Sequence, residues 1–202
     1  SLFYFLFIFT FSLFSQQTTQ DTISLQNLEE VIISSIRVKQ NAPIAFTNVS
    51  KDELSKKNLG QDLPILLNSL TSVVTTSDAG AGVGYTGIRI RGINAQSTNI
   101  TINGIPYNDA ESLGTFWVDL PDFASSVENL QVQRGVGTST NGSSAFGASI
   151  NILTDLISKT PYFENSNSIG SYNTLKNTFK FSTGILNDYF EFSGRLSKID
   201  SD

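Results

Sequence analysis

The chain has 202 residues, enough for one ordinary domain or one domain with appendages. It contains neither Cys nor His, which excludes disulfides, thiolate metal sites and a Ser-His-Asp triad. Eighteen acidic residues stand against 13 basic ones, a net charge of −5, which argues against nucleic acid as a partner because such binding needs a basic surface.

Residues 1–15 hold the run Leu2–Phe14 (LFYFLFIFTFSLF), which is almost wholly apolar. About 20 apolar residues are needed to span a bilayer as a helix, and this run is shorter. It fits the h-region of a secretory signal peptide; since the chain opens on Ser1, the basic n-region is expected to be missing. The same run also reads as an N-terminal anchor helix. Residues 16–44 form a polar tail that is expected to be mobile. Within it, Leu28, Glu29 and Glu30 lead into Val31, Ile32 and Ile33, then Ser34 and Ser35. The β-branched run favours an extended conformation. Two readings stay open: an edge strand of the following domain, or a docking strand offered to a partner's sheet edge.

Residues 45–155 read as a globular domain. Ala45–Ser50 suits a strand. Ser50 and Glu53 are spaced for a capping box at the start of a short helix ending at Lys57. Asp62–Leu70 predicts a second helix, with Asp62 at its N-cap, Pro64 in its first turn and Leu63, Leu66, Leu67 and Leu70 as its apolar stripe. Ser77–Gly87 is a glycine-rich loop. Ile88–Arg91 and Asn99–Ile102 alternate as strands, and Asn103-Gly104 is a strong hairpin signal that starts a third strand at Ile105. Tyr107–Asp119 reads as a long loop, Pro121–Ser126 as a helical turn, and Leu130–Gln133 and Ile150–Leu153 as further strands.

After Lys159 the pattern changes. Ser166–Gly184 and Asn187–Lys198 are longer alternating segments in residues 160–202. In the second, Tyr189, Glu191, Ser193 and Arg195 alternate with Phe190, Phe192, Gly194 and Leu196. Apolar-out, polar-in alternation over about ten residues fits a transmembrane β-strand, and it also fits a solvated hairpin. Two strands cannot close a barrel, so the barrel is expected to be truncated here.

Gly82-Val83-Gly84-Tyr85-Thr86-Gly87 satisfies G-x-G-x-x-G, but a strand pattern follows it where a dinucleotide site needs a helix. Arg91-Gly92 and Arg134-Gly135 are more specific. Each closes an alternating strand before a turn, and a guanidinium suits bidentate pairing with a carboxylate.

The order Ile90-Arg91-Gly92, Asn103-Gly104-Ile105-Pro106, Val127-Glu128-Asn129-Leu130-Gln131-Val132-Gln133-Arg134-Gly135 and Ala145-Phe146-Gly147-Ala148-Ser149-Ile150-Asn151-Ile152 resembles the plug domain of TonB-dependent outer-membrane receptors. The agreement runs over about a hundred residues. Ala148 departs from the pattern, where the family usually has a second Gly. Leu28–Ser35 also resembles the family's Ton box, its energy-coupling peptide.

The resemblance implies an α+β plug domain, a small mixed sheet with short helices, followed by the first antiparallel strands of a truncated transmembrane β-barrel. It implies that Arg91 and Arg134 match plug arginines that pair with barrel glutamates beyond Asp202. It implies that the loops Ser77–Gly87 and Tyr107–Phe116 are plug apices, with Asp78, Tyr85, Tyr107, Asn108, Asp109 and Phe116 facing ligand. The implied partners are the TonB C-terminal domain with its inner-membrane energising complex, outer-membrane lipid, and a small-molecule cargo such as a metal chelate. A ferric siderophore leads, with cobalamin, metal and glycan as alternatives. No catalytic residue, cofactor or metal site is expected. The rival readings are a passive outer-membrane barrel or adhesin with an N-terminal periplasmic domain, a soluble periplasmic binding domain and, weakest, an enzyme.

Overall fold

A computed structural model describes residues 37–39, 41–136 and 145–202. The apolar run Leu2–Phe14 and the segment Leu28–Ser35 lie outside the described residues.

The first element is strand β1, Phe46–Ser50, followed by helix α1, Lys51–Lys57. The capping box is formed: the Glu53 amide donates to Ser50 Oγ at 3.3 Å, and the Ser50 amide donates to Glu53 Oε2 at 2.9 Å. Helix α2 covers only Leu63–Leu66, shorter than the expected Asp62–Leu70. The reason is visible in the bonding. The amides of Leu67 and Asn68 reach the carbonyls three residues back, so the helix tightens and ends. Asp62 makes no capping bond, because Thr86 takes its carboxylate instead.

Strands β2 (Val73–Ser77) and β3 (Thr86–Ile90) form a hairpin with the glycine-rich loop 78–85 at its tip. Sequence reading missed β2 and merged its end with the loop. The main sheet has five strands in the order β1-β6-β7-β4-β5. Here β4 is Thr98–Ile102, β5 Ile105–Pro106, β6 Val127–Arg134 and β7 Ala148–Thr154. The β4–β7 pair is parallel and the others are antiparallel, so the sheet is mixed. The Asn103-Gly104 turn takes positive φ at both residues, 51° and 83°, as a type I′ turn requires.

Alternation sorts the two faces of this sheet. Leu130, Val132, Ile150, Ile152 and Ile100 face the core with Leu54, Leu63, Leu67 and Ile90. A bulge between Val127 and Asn129 keeps Val127 in that core as well. The opposite face carries buried Gln131, Gln133, Ser149, Asn151 and Thr101.

Beyond the plug, three antiparallel strands are found where two were expected: β8 (Tyr162–Ile169), β9 (Leu175–Leu186) and β10 (Phe190–Asp200), in the order β10-β9-β8. A turn with Tyr172 and Asn173 at φ 57° and 51° splits the segment Ser166–Gly184. The faces separate sharply. Lys176, Thr178, Lys180 and Ser182 are buried against the plug. Phe163 and Phe192, at 65% and 63% exposure, line the outer side with Phe179 and Phe181 in an aromatic row. Polar inward and aromatic outward is the arrangement of a barrel wall in lipid.

Candidate functional site

The polar face of β9 and β10 meets the plug at Asp122. This residue follows Pro121 and adopts a left-handed backbone, φ 50°, just before the 3-10 turn Phe123–Ser126. Its side chain is 1% exposed. Lys176 Nζ lies 2.7 Å from Oδ1 and Arg195 Nη1 2.8 Å from Oδ2. Thr178 Oγ1 donates at 2.9 Å, Ser125 Oγ at 2.6 Å and Asn58 Nδ2 at 3.3 Å, and Ser197 Oγ also donates. Burial pushes the carboxyl upward, but the bonds from Lys176, Ser125 and Ser197 overcome it and hold its pKa at about 2.

A second ionic group lies beside it. Lys180 Nζ and Lys51 Nζ reach Asp155 at 2.5 and 2.7 Å, and Lys51 also reaches Glu128 at 3.2 Å. Burial raises the Asp155 pKa, yet the two lysines bring it below the ordinary carboxylate value. Lys51 is raised by Asp155 and Glu128 against its own desolvation. A cavity of about 430 Å³ opens between plug and strands, bounded by Asp155, Tyr162, Lys180, Glu191 and Arg195.

The two arginines stand at the far end of β6. Arg134 is 9% exposed, and its Nε and Nη2 donate to the Thr71 carbonyl at 2.9 Å and Thr47 Oγ1 at 2.7 Å. Burial lowers its pKa first, and the charge of Arg91 lowers it further. Arg91 sits with Gly92 in a tight turn, φ 55° and 76°. Its Nη1 is 3.0 Å from where a Cβ on Gly135 would lie. Among the described residues no carboxylate pairs with either guanidinium. Eight residues of β6 separate this pair from the Asp122 end, a span of about 24 Å at ~3.4 Å per residue.

The loop residues divide. Asp78 and Tyr85 close the tip of the β2–β3 hairpin through the Asp78 amide and the Tyr85 carbonyl, 3.0 Å, and the Tyr85 ring is 69% exposed. Phe116 is 48% exposed. Tyr107 instead packs partly against the core. Asn108 braces the chain, accepting from the Ile100 amide at 2.7 Å and donating to the Thr98 and Leu113 carbonyls, both at 2.9 Å. Asp109 accepts from the Ser112 amide at 2.7 Å. These three side chains hold the loop in shape.

Within the expected tail 16–44, two residues past Ser35, Arg37 Nη1 donates to Asn129 Oδ1, and Arg37 Nη2 donates to the Asn151 carbonyl at 3.2 Å. The Gln131 side chain holds Val38 by two bonds, 2.8 and 3.1 Å.

Sequence reading missed Asp122, Asp155, Lys176, Lys180 and Arg195 as a group. Two lysines four residues apart on one face of a strand, Lys176 and Lys180, with Phe179 and Phe181 on the other face, were the available signal, because inward cations demand carboxylates.

Residues 38–149, over half of the chain, match the family described as the TonB-dependent receptor plug domain. A probable TonB-dependent siderophore receptor, PirA, of Acinetobacter baumannii is 25% identical over 151 residues, covering 69% of this chain and 20% of that protein. The vitamin B12 transporter BtuB of Vibrio vulnificus is 29% identical over 133 residues, covering 64% and 21%. The chain thus spans about a fifth of the length of these curated relatives. Among solved structures, the ferripyoverdine receptor of the outer membrane of Pseudomonas aeruginosa matches with a TM-score of 0.63 and 12% identity, covering 82% of this chain and 21% of that one. The siderophore receptor PirA from A. baumannii matches with a TM-score of 0.56 and 22% identity, covering 78% and 25%. At these identities the structures show the fold: a plug with a mixed sheet and few helices, next to antiparallel strands consistent with the start of a barrel. The relatives place the protein in the Gram-negative outer membrane. The chain belongs to the TonB-dependent receptor plug family.

Proposed function

We propose that this chain is the N-terminal part of a receptor that imports a scarce nutrient across the outer membrane with energy supplied through TonB. The observation that carries the reading is the buried ionic contact between plug and strands. A stopper fastened to a wall by desolvated charges has to be moved before anything passes, and that work needs an external source. The segment Leu28–Ser35 is the docking strand for the TonB C-terminal domain, joined by β-augmentation. Arg91 and Arg134 hold the opposite side of the plug to wall carboxylates. Asp78, Tyr85 and Phe116 face the cargo. A ferric siderophore is the favoured cargo, because four of eight curated relatives are iron or siderophore receptors and the matched solved structures are siderophore receptors as well; cobalamin is the alternative that the four BtuB relatives support. The plug itself performs no chemistry.

The test is Ile32→Pro in the full-length receptor. Proline removes a ladder donor and fixes φ. Binding of labelled ferric siderophore, or of cobalamin, to whole cells should be unchanged, while energy-dependent uptake is lost. Unimpaired uptake by this variant would count against the docking role.

A further inference from the structure

The five residues Asn58–Asp62 touch α1, the Asp122 cluster, the wall strands β8 and β9, and the β2–β3 hairpin loop. At one end Asn58 takes the C-cap of α1, its amide donating to the Leu54 carbonyl. Its side chain donates to Asp122 Oδ1 at 3.3 Å and to Ser125 Oγ at 2.9 Å. At the other end the buried Asp62 carboxylate accepts from Thr86 Oγ1 at 2.9 Å, and the Asp62 amide donates to the Gly82 carbonyl at 2.8 Å. Gln61 packs under the hairpin loop: a Cβ on Gly82 would come within 3.1 Å of its side chain. In the middle, the Leu59 carbonyl accepts from Ser168 Oγ of β8 at 3.0 Å. Gly60, at φ 116°, lies so close to β9 that a Cβ there would be 3.4 Å from Lys176 Cβ. Only glycine adopts that backbone without strain.

We infer that Asn58–Asp62 is a coupling element, which ties the conformation of loop 78–85 to the hold of Asp122 on the wall strands. The physical reason is that the segment has no slack. Its two polar anchors are nearly fully buried, 9% and 2% exposed, and each is committed to a different neighbour. A displacement of the loop that shifts Asp62 must move Asn58 or break its bonds to Asp122 and Ser125. The reverse holds equally, since coupling between two sites is reciprocal. The segment also continues directly from α1, so displacement of β1 and α1 from the N-terminal side reaches the same residues. The idea rests on the reading of loop 78–85 as the cargo-facing loop for its use in import, but the coupling itself can be measured without cargo or TonB.

The experiment uses the full-length receptor in lipid nanodiscs, with hydrogen exchange read at the loop amides. The Asp78 and Thr86 amides donate to the Tyr85 and Gly84 carbonyls, both at 3.0 Å, and report closure of the loop. Asp62→Ala removes the acceptor of Thr86 Oγ1 and should speed their exchange. Asn58→Ala leaves both ion pairs of Asp122 intact and lies on the other side of the segment. It removes the side-chain bonds to Asp122, Ser125 and the Gly60 amide, and it should speed exchange at the same amides about five- to tenfold, the equivalent of one buried hydrogen bond transmitted along the segment. Asp122→Asn should do the same. If Asn58→Ala and Asp122→Asn leave the loop amides as slow as wild type while Asp62→Ala speeds them, the coupling is wrong. That outcome leaves the import reading untouched, which stands or falls on uptake by Ile32→Pro.

Discussion

Gln131 holds the backbone of Val38 from both sides: the Val38 amide donates to Oε1 at 2.8 Å, and Nε2 donates to the Val38 carbonyl at 3.1 Å. A side-chain amide thus stands in for a strand partner and fastens the chain three residues past Ser35. Gln131→Leu should leave both Val38 groups unsatisfied and weaken this fastening by about 1–3 kcal/mol. The expected result is faster exchange at Val38 in the full receptor, together with tighter binding of the TonB C-terminal domain. Unchanged exchange at Val38 would show that the clamp contributes nothing.

Asp122→Asn removes the carboxylate on which Lys176 and Arg195 converge. Breaking one side of a buried ion pair typically costs about 3–5 kcal/mol, because the stranded charge stays desolvated. The variant should unfold its plug at lower denaturant and admit large antibiotics that wild type excludes. Wild-type resistance in the variant would remove Asp122 from the plug's attachment.

The same residue sets an acid limit. Its folded pKa of about 2 lies below the ordinary 3.8. A lowered carboxylate pKa contributes stability that is fully present above the unfolded value and is lost as pH falls through the folded one. Plug retention should therefore be flat from neutral pH to about 4 and decline from there toward 2. Exchange at Thr178, followed against pH, is the measurement. A decline centred near pH 6 would point to other groups.

Arg91 and Arg134 repel each other and have no carboxylate among the described residues. Wall carboxylates are their proposed partners in the full receptor. Arg91→Ala with Arg134→Ala should loosen the plug on the side away from Asp122 and raise antibiotic leakage even in cells lacking TonB. A double variant as tight as wild type would overturn the assignment.

Much of the plug was legible because its strands carry one apolar face each. Leu130, Val132, Ile150 and Ile152 alternate, and Asn103-Gly104 announces its own turn. The capping box at Ser50 is equally local. Helix α2 was overdrawn because its leucine stripe continues through Leu67 and Leu70 after the backbone has left helical bonding. Strand β2, Val73–Ser77, was missed because only Val73 is buried on it. The Asp122 cluster joins residues 58, 122, 176 and 195, and no sequence pattern links positions so far apart. For the opposite reason the arginines were easy to see, since each sits beside its glycine.

The acceptors that satisfy Lys176 and Lys180, namely Asp122, Ser125 and Asp155, all belong to the plug. Strand β9 therefore does not carry its own neutralising charge. A wall assembled around an empty interior would be filled by water, which solvates both ammonium groups, and Glu164 stands opposite Lys180 in the β8–β9 register. The neutralising carboxylates thus arrive with the plug, and each ion pair forms only as that water is stripped away. A barrel expressed without residues 37–155 should therefore still assemble, and Lys176→Met with Lys180→Met should weaken retention of the plug rather than the yield of the barrel. Loss of barrel yield on removing the plug would show that the strands need the plug's carboxylates in order to form.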